Sequence, residues 1–284
     1  MIRSPRYPIF VPTKSRYHTP YTIREFLRNR VTFSAVVEAQ EVEQYSALVG
    51  RERCIVLPHR DQGLVVTRNW IWDYALSLGV ARFWTFDDNI TVFSRLYKNK
   101  KYPLRDGALL PALAAMEDFA DRYENLPVCG MAYRGFVKQN QKVHPLILNT
   151  RVYSNMLIQT DAKDRHGQFF RNEGFFNDDT DLCLRVLKDG QCTVQFCAFL
   201  AGKATTMTVR GGMTPYYQGD GRLKMAQELR AKHPDVTTIT QKFGHWQHQV
   251  DYSGFRRNKL RLKPGVTITP GIDEYGLALR THTE

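Results

Sequence analysis

Residues 82–89 have the sequence RFWTFDDN, in which five strand-like residues run directly into two aspartates and an asparagine. Aromatic residues and threonine are enriched in strands. Carboxylates at the tip of a buried strand are unfavourable unless water or a cation compensates them. In open α/β sheets, ligands bind beyond the carboxyl ends of the strands. This stretch therefore predicts a sheet whose functional edge lies at Asp87, Asp88 and Asn89.

Toward the N-terminus, short apolar runs alternate with helical patterns. Strands are predicted at Pro8–Val11, Phe33–Val37 and Cys54–Leu57, and helices at Thr22–Arg30, Val42–Val49 and Arg68–Leu78. Strands and helices that take turns in this way indicate an α/β fold, with a largely parallel sheet covered by helices on both faces.

The second half of the chain is less regular. Helices are predicted at Ala108–Tyr123, Thr180–Lys188 and Arg222–Lys232, strands at Pro127–Met131 and Cys192–Leu200, an extended segment at 149–158, and a loop at 211–221. Gly190 is a predicted left-handed stop after the second of these helices. Without an internal repeat or a long linker, the pattern favours one compact unit with a C-terminal extension.

Charge and cysteine content limit the class of protein. Lys and Arg number 40 against 28 Asp and Glu, so the net charge of +12 favours polyanionic partners, although a basic surface can also serve solubility alone. The five cysteines include no CxxC pair, which indicates reduced, buried thiols rather than disulfides or a zinc site. No apolar run approaches the roughly 20 residues of a membrane span, and the N-terminus lacks a signal-peptide core. A soluble, cytoplasmic protein is expected.

Two acidic clusters are the candidates for chemistry. Asp87, Asp88 and Asn89 offer the oxygen ligands that Mg²⁺ and Mn²⁺ prefer, although one of them could instead cap the next segment. Residues 177–181 (NDDTD) precede a predicted helix, where acidic residues are favourable and one could act as the cap. Three carboxylates in four residues exceed what capping requires. Such a cluster can raise the pKa of one carboxyl group and suit it to accept a proton from a hydroxyl.

Several polar residues are candidates for binding a donor. Pro12, Lys14 and Arg16 belong to the PTKSR segment that follows the first predicted strand, where cations and hydroxyls can hold a base, a ribose or phosphates. Arg68 and Asn69 open the third predicted helix, whose N-terminus can bind an anion. Surface cations are usually only solvated, so each signal is weak alone.

Further candidates lie near the C-terminus. The glycine-rich loop at 211–221 carries Tyr217 and Asp220, and Arg222 follows it; together they predict a lid or an acceptor-binding segment. His248 is a candidate metal or phosphate ligand, although an isolated histidine more often has a structural role.

Two basic segments are candidates for binding nucleic acid. Residues 255–263 (FRRNKLRLK) include Arg256, Arg257 and Lys259. Because Lys259, Arg261 and Lys263 alternate with two leucines, an extended strand over these residues would present one basic face. The lysines within 98–101 form a second cluster near the predicted functional edge. Both suit a phosphate backbone, and a solvated basic face is the alternative.

Seven motifs occur in the following order: IFVPTKSR (9–16), RNWIW (68–72), WTFDDNI (84–90), NDDTDLCLRVLKDG (177–190), KATTMTVRGG (203–212), YYQGDGRLKMA (216–226) and WQHQVDY (246–252). In this order they resemble the TET-associated glycosyltransferases, phage enzymes with a GT-A-like fold. The resemblance spans roughly residues 8–256. It implies a GT-A-like domain at 1–255, with a nucleotide-sugar-binding half (1–90) and an acceptor half (91–255), and leaves 256–284 as a basic C-terminal extension.

The resemblance also implies an activity. A sugar from a nucleotide sugar, expected to be a UDP-sugar, would be transferred to 5-hydroxymethylpyrimidine bases of viral DNA, with 5-hydroxymethylcytosine as the expected base. Because the 5-substituent lies in the major groove, duplex DNA is the expected acceptor without base flipping. Three alternatives remain open: a metal-dependent nuclease, a non-catalytic DNA-binding module, and a glycosyltransferase for saccharide or protein acceptors.

The resemblance assigns roles to the two acidic clusters. Asp87-Asp88-Asn89 takes the place of the DxD-type metal motif, and Asp178-Asp179 matches the Glu-Asp element that supplies the base in inverting members. Because the first acid is Asp rather than Glu, which carboxylate is the base stays open.

Overall fold

A large mixed sheet forms the centre of the protein. The structure, a computed structural model, describes residues 4–138, 143–204, 219–242, 244–268, 271–272 and 278–279. Over these residues the sheet has ten strands: β1 (Ile9–Pro12), β2 (Ser34–Val37), β3 (Cys54–Val56), β4 (Arg82–Phe86), β5 (Ile90–Tyr97), β6 (Lys100–Pro103), β7 (Val128–Tyr133), β8 (Leu146–Leu148), β9 (Asn155–Gln159) and β10 (Thr193–Lys203). Two separate hairpins pair β11 (Thr237–Lys242) with β12 (His245–Val250) and β13 (Gly271–Ile272) with β14 (Ala278–Leu279).

The strand order brings several carboxyl ends to one edge. The sheet runs β3-β2-β1-β4-β9-β7-β10-β5-β6, and β8 pairs with β10. Strands β1 to β4 are mutually parallel, and β7 and β10 are parallel to each other. Strand β9 lies antiparallel to both β4 and β7, so the carboxyl ends of β1, β4, β7 and β10 all point the same way. This mixed α/β architecture confirms the predicted GT-A-like fold class.

Helices cover both faces of the sheet. They are α1 (Tyr21–Arg28), α2 (Val42–Val49), α3 (Leu64–Ser77), α4 (Leu109–Asp121), α5 (Asp178–Lys188) and α6 (Gly221–Lys232). Ile9 and Val11 pack with residues of α1, α2 and α4, whereas Phe10 packs with residues of α3 and α5. This alternation follows from the two-residue period of a strand. Across the described ranges, no helix is both long and apolar enough to cross a bilayer.

The elements agree with the predictions in most places, and one difference affects the site. Helix α2 and strand β4 have the predicted bounds, and Gly190, with φ of 87°, ends α5 as predicted. Helix α3 begins at Leu64, directly after Gly63 with φ of 87°. The prediction that Arg68 and Asn69 open this helix is wrong, because Arg68 lies in its second turn.

Hairpins account for most of the remaining differences. The sequence did not predict β5, β6 or the β11–β12 pair, and only the second half of the segment 149–158 forms a strand. Strand β5 begins directly after Asn89 and runs for eight residues, so Lys98 lies at its other end. The lysine cluster at 98–101 therefore spans the turn and the first residues of β6, in a hairpin that leads away from Asn89.

The basic C-terminal segment packs against the rest of the protein. Ser253–Arg257 is a 3₁₀ helix, and Leu262 farther along forms an antiparallel β-bridge with Tyr123. Phe255 joins a core cluster with Leu184, Leu187 and Leu229. The side-chain amide of Asn258 donates to the carbonyls of Leu187 and Gln191, both at 2.8 Å. Residues on both sides of position 255 therefore contact the same part of the protein, around Leu187.

Candidate active site

A tight turn after β4 presents the first acidic cluster. The backbone N–H of Asp87 donates to the carbonyl of Ser154 (2.7 Å), and its own carbonyl accepts from the Thr22 hydroxyl (2.6 Å). The same hydroxyl accepts from the N–H of Ile90 at 2.9 Å. These contacts fix the positions of Asp87, Asp88 and Asn89 between helix α1 and the segment that precedes β9.

Asp87 is the centre of an ion-pair network. Its Oδ1 accepts from Arg68 (2.7 Å) and its Oδ2 from Lys203 (2.9 Å), which ends strand β10. Arg68 is buried and also donates to Asp178 Oδ2 at 2.6 Å. Burial acts to raise the pKa of Asp87, but the cations of Lys203 and Arg68 outweigh it and hold this pKa well below its usual range. We call the chain Lys203–Asp87–Arg68–Asp178 the Asp87 network.

Asp88 has its own partners. Its Oδ1 is paired with Arg16, and its Oδ2 accepts from the Thr13 hydroxyl at 2.9 Å. Thr13 in turn shares a hydrogen bond of 2.8 Å with the hydroxyl of Tyr45. Burial raises the pKa of Asp88, and the charge of Arg16 opposes this rise. The segment after β1 thus supplies a cation and a hydroxyl to the acidic cluster.

The other predicted donor residues do not join this network. Lys14 donates to the Glu38 carboxylate at 2.9 and 3.0 Å. Asn69 donates to the carbonyl of Asn172 and accepts from its N–H, both at 2.9 Å, and so holds a loop in place. Pro12 is buried at the end of β1.

The acidic turn has the oxygen donors that a hard divalent cation requires. Besides the two carboxylates, Asn89 Oδ1 is buried and has no hydrogen-bond partner. Arg68 is enclosed, whereas Lys203 is 22% exposed. Asp87, Asp88 and Asn89 are the described residues whose oxygen atoms would hold a Mg²⁺ or Mn²⁺ ion at this turn. Within the described part of the chain, no three His, Cys, Asp or Glu side chains form a metal-binding group, so His248 does not join these aspartates.

The two acids that begin α5 have different surroundings. Asp178 is buried and ion-paired with Arg68; burial raises its pKa, Arg68 opposes the rise, and neighbouring Asp179 adds to it. Asp179 is half-buried, and its Oδ1 accepts from the N–H (2.6 Å) and hydroxyl (3.0 Å) of Thr180. No described cation lies within 4 Å of the Asp179 carboxylate. Of the two, Asp179 is the carboxylate that forms no ion pair with a described residue.

A cavity of about 230 Å³ is lined by residues on which the charge of Asp179 acts. Eight residues line it: Phe136, Thr150, Arg151, Tyr153, Gln195, His248, Val250 and Tyr252. The guanidinium of half-buried Arg151 lies 4.3 Å from the centre of the Tyr153 ring, and its Nη1 lies 3.4 Å from His248 Nε2. No carboxylate of the described residues lies within 4 Å of this guanidinium. We call this space the Arg151 cavity.

Electrostatics connects Asp179 to the Arg151 cavity. Burial and, to a smaller extent, the charge of Arg151 lower the pKa of His248 to about 4, although the charge of Asp179 acts to raise it. Burial also acts to lower the pKa of Arg151, but the charge of Asp179 contributes to a net rise. The cavity meets the Asp87 network at Tyr153, whose ring centre lies 5.9 Å from Lys203 Nζ. At neutral pH, His248 is therefore uncharged and accepts the hydrogen bond from Arg151.

The predicted acceptor-binding residues are only partly described. Tyr217 lies outside the described residues. Asp220 is exposed just before α6, and Arg222 is half-buried in the first turn of that helix.

The basic residues of the C-terminal segment lie at the surface. Arg256, Arg257 and Lys259 are all exposed. The 3₁₀ helix that carries the two arginines follows directly after Tyr252, which lines the Arg151 cavity.

Sequence reasoning missed Lys203, Thr13 and Arg151. Lys203 was detectable in principle, because it ends a strand whose carboxyl end lies at the functional edge. Thr13 lies within the PTKSR segment, but only the fold shows that its hydroxyl reaches Asp88. Arg151 lies in an irregular segment, and no local pattern distinguishes it from other surface arginines.

The fold and this cluster define a GT-A-like α/β protein with an acidic site at the carboxyl edge of its sheet. The family model for the TET-Associated Glycosyltransferases matches residues 7–212, which is more than half of the chain. The chain therefore belongs to this glycosyltransferase family. The matched region contains Asp87, Asp88, Asp178, Asp179 and Lys203, and it ends before His248. No curated protein matches the chain.

Proposed function

We propose that this protein transfers a sugar from a nucleotide sugar to the hydroxyl of a 5-hydroxymethylpyrimidine in DNA, with 5-hydroxymethylcytosine as the expected base. The observation that carries the proposal is the position of Asp179. Its carboxylate has no ion-pair partner among the described residues, and its charge acts both on Arg68 of the Asp87 network and on Arg151 and His248 of the Arg151 cavity. Membership of the family supports the class of reaction.

The Asp87 side is the proposed donor site. Arg16, Arg68 and Lys203 converge there, and the carboxylates that pair with them fix their positions. A nucleotide diphosphate gains negative charge as it leaves, and cations that are already oriented stabilise this charge without reorganisation. The expected donor is a UDP-sugar.

A divalent ion is part of the proposal. Asp87, Asp88 and Asn89 would hold Mn²⁺ or Mg²⁺ through their oxygen atoms, with Lys203 displaced from Asp87. When bound, the ion would act as a Lewis acid on the leaving diphosphate.

Asp179 is the proposed general base. The hydroxymethyl oxygen of the acceptor bonds to the anomeric carbon of the sugar, the bond from that carbon to the diphosphate oxygen breaks, and Asp179 takes the hydroxyl proton. One displacement of this kind inverts the anomeric centre. Asp178 is less suited to this role because its carboxylate is bound to Arg68 at 2.6 Å.

DNA is the proposed acceptor. The net charge of +12 favours a polyanion, and Arg256, Arg257 and Lys259 are exposed on the segment that follows the cavity. Phosphate contacts of this kind position a duplex without reading its sequence.

The experiment that tests this function is transfer to defined DNA. The protein is incubated with Mn²⁺, a panel of nucleotide sugars, and duplexes that contain 5-hydroxymethylcytosine, 5-hydroxymethyluracil or unmodified cytosine. The DNA is then digested to nucleosides, and their masses are measured by mass spectrometry. We expect a hexose-sized or similar mass increase on a hydroxymethylated nucleoside only. Strand cleavage without a donor would instead identify a nuclease, and donor consumption only with saccharide or protein acceptors would identify a different transferase.

A further inference from the structure

We infer that the Arg151 cavity binds the acceptor pyrimidine itself, as a single base turned out of the DNA helix. This inference rests on the proposed function and goes beyond it, because it assigns a binding site and a conformation to the acceptor. It also departs from the expectation that the base stays stacked while its 5-substituent is modified.

The size and walls of the cavity fit one base. Its volume of about 230 Å³ is below the roughly 300–1,000 Å³ of pockets for drug-sized ligands. Tyr153, Tyr252 and Phe136 provide aromatic rings at its walls. Enzymes that bind a flipped base hold it between aromatic or apolar side chains and bind its polar edge by hydrogen bonds.

Arg151 provides the polar contact. Its Nη1 lies 3.4 Å from His248 Nε2, and its Cζ lies 4.3 Å from the centre of the Tyr153 ring. No described carboxylate lies within 4 Å of the guanidinium to neutralise its charge. A guanidinium that is partly removed from water needs acceptor oxygens or nitrogens. Pyrimidines present a carbonyl oxygen at C2, and uracil derivatives present a second one at C4. A base in the cavity would therefore complete the hydrogen bonding of Arg151.

A base suits the cavity better than a phosphate does. Arg151 is the one cation among the described residues that line it, since His248 has a pKa of about 4 and is neutral. The negative charge of Asp179 acts on this space and would repel an anion. The cations proposed to bind the donor phosphates, Arg16, Arg68 and Lys203, are not among the described residues that line the cavity. A neutral acceptor base with a hydroxyl group near Asp179 therefore fits the cavity, and the anionic donor fits the site with three cations.

A base inside this cavity cannot remain stacked in a duplex. The lining residues Arg151 and Tyr153 are half-buried, whereas Phe136 is 70% exposed at the margin of the cavity. A base that enters past Phe136 must therefore rotate out of the helix. Phe136 is then placed to contact DNA bases next to the one that leaves.

The test uses duplexes in which 2-aminopurine lies next to one 5-hydroxymethylpyrimidine. Wild-type protein is added without donor, and 2-aminopurine fluorescence is expected to rise as its neighbour leaves the stack. A mismatch opposite the target makes flipping easier and should lower the KM for DNA. Both measurements use the wild-type protein and do not depend on the folding of a variant.

The matched variants are Arg151→Gln and Arg165→Gln. Loss of a hydrogen bond to a charged group should raise the KM for DNA about tenfold to a hundredfold in the first variant. Arg165 is an exposed arginine paired with Asp189, and its variant should leave this KM unchanged. Donor hydrolysis is expected to stay at the wild-type rate in Arg165→Gln.

The outcomes separate this inference from the proposed function. Sugar transfer with no fluorescence rise and no effect of a mismatch would overturn the base pocket while the function stands. Weaker donor binding in Arg151→Gln, with an unchanged KM for DNA, would assign the cavity to the donor instead. If no sugar reaches hydroxymethylated DNA from any donor, the proposed function itself fails.

Discussion

Two arginines on either side of the Asp178–Asp179 pair have opposite surroundings. Arg68 is buried and bound to the carboxylates of Asp87 and Asp178 at 2.7 and 2.6 Å. Arg151 is half-buried, faces neutral His248, and has no described carboxylate within 4 Å. At the start of α5, Asp178 is ion-paired with Arg68, whereas the charge of its neighbour Asp179 acts on both arginines.

The difference indicates that carboxylates hold Arg68 in place at the donor site, whereas Arg151 is suited to bind a ligand. A buried cation with two carboxylates is satisfied, and removing it leaves charges uncompensated. A partly enclosed cation without a carboxylate has donors to offer to a ligand. The comparison indicates that the Asp87 network orders the donor side, and that the Arg151 cavity receives the acceptor.

The largest expected effect concerns the donor side. Chelation by EDTA should abolish sugar transfer, because the proposed ion at Asp87, Asp88 and Asn89 stabilises the leaving diphosphate. Excess Mn²⁺ should restore it. The measurement is the rate of mass increase on hydroxymethylated DNA, with circular dichroism as the control for folding. Full activity in EDTA would show that the cations of the Asp87 network act without a metal ion.

The comparison of the two arginines can be tested through stability. Arg68→Met should lower the free energy of unfolding by about 3–5 kcal/mol, because it leaves buried carboxylates unpaired. Arg151→Met leaves no carboxylate unpaired and should not lower it. Urea unfolding measures both, with Arg165→Met as a surface control that should change stability by less than about 1 kcal/mol. Equal losses of unfolding free energy in the Arg68 and Arg151 variants would contradict the distinction between the two arginines.

Much of the sheet and part of the site could be predicted from the sequence. Strand β4 and the acidic turn could be predicted because the aromatic residues end abruptly at Asp87. The spacing of apolar residues predicted most of α5. The pairing of Arg68 with Asp178, 110 positions apart, depends on tertiary packing that no local pattern contains. The same holds for Arg151, whose segment forms neither a helix nor a strand.

A smaller effect is expected at the basic surface. The triple variant in which Arg256, Arg257 and Lys259 become Gln should flatten the log–log dependence of DNA affinity on salt by about two to three units, because each phosphate contact releases roughly one counterion. Fluorescence anisotropy over a salt series measures the slope. Donor hydrolysis should not change, and an unaltered slope would show that these cations do not touch DNA.

The smallest expected effect is a pH dependence from His248. Its pKa in the folded protein is about 4, below the ordinary 6.5, so the unfolded chain binds more protons between these values. Stability should therefore rise with pH from about 4 to 6.5 and fall as pH is lowered through this window. In His248→Gln, the rise in Tm across this window should be smaller than in the wild type. Exposed His166→Gln is the control, and an unchanged pH profile in the His248 variant would contradict its neutral state.

The most direct test of the account compares Asp178→Asn with Asp179→Asn on hydroxymethylated duplex DNA. If Asp179 takes the acceptor proton, its variant should lose about 10²–10⁴ in turnover, with Tm and donor binding close to wild type. Asp178→Asn should chiefly lower Tm, because it breaks the ion pair with Arg68. Near-normal turnover in Asp179→Asn would contradict the account, since the carboxylate whose charge acts on both arginines would then not be the base.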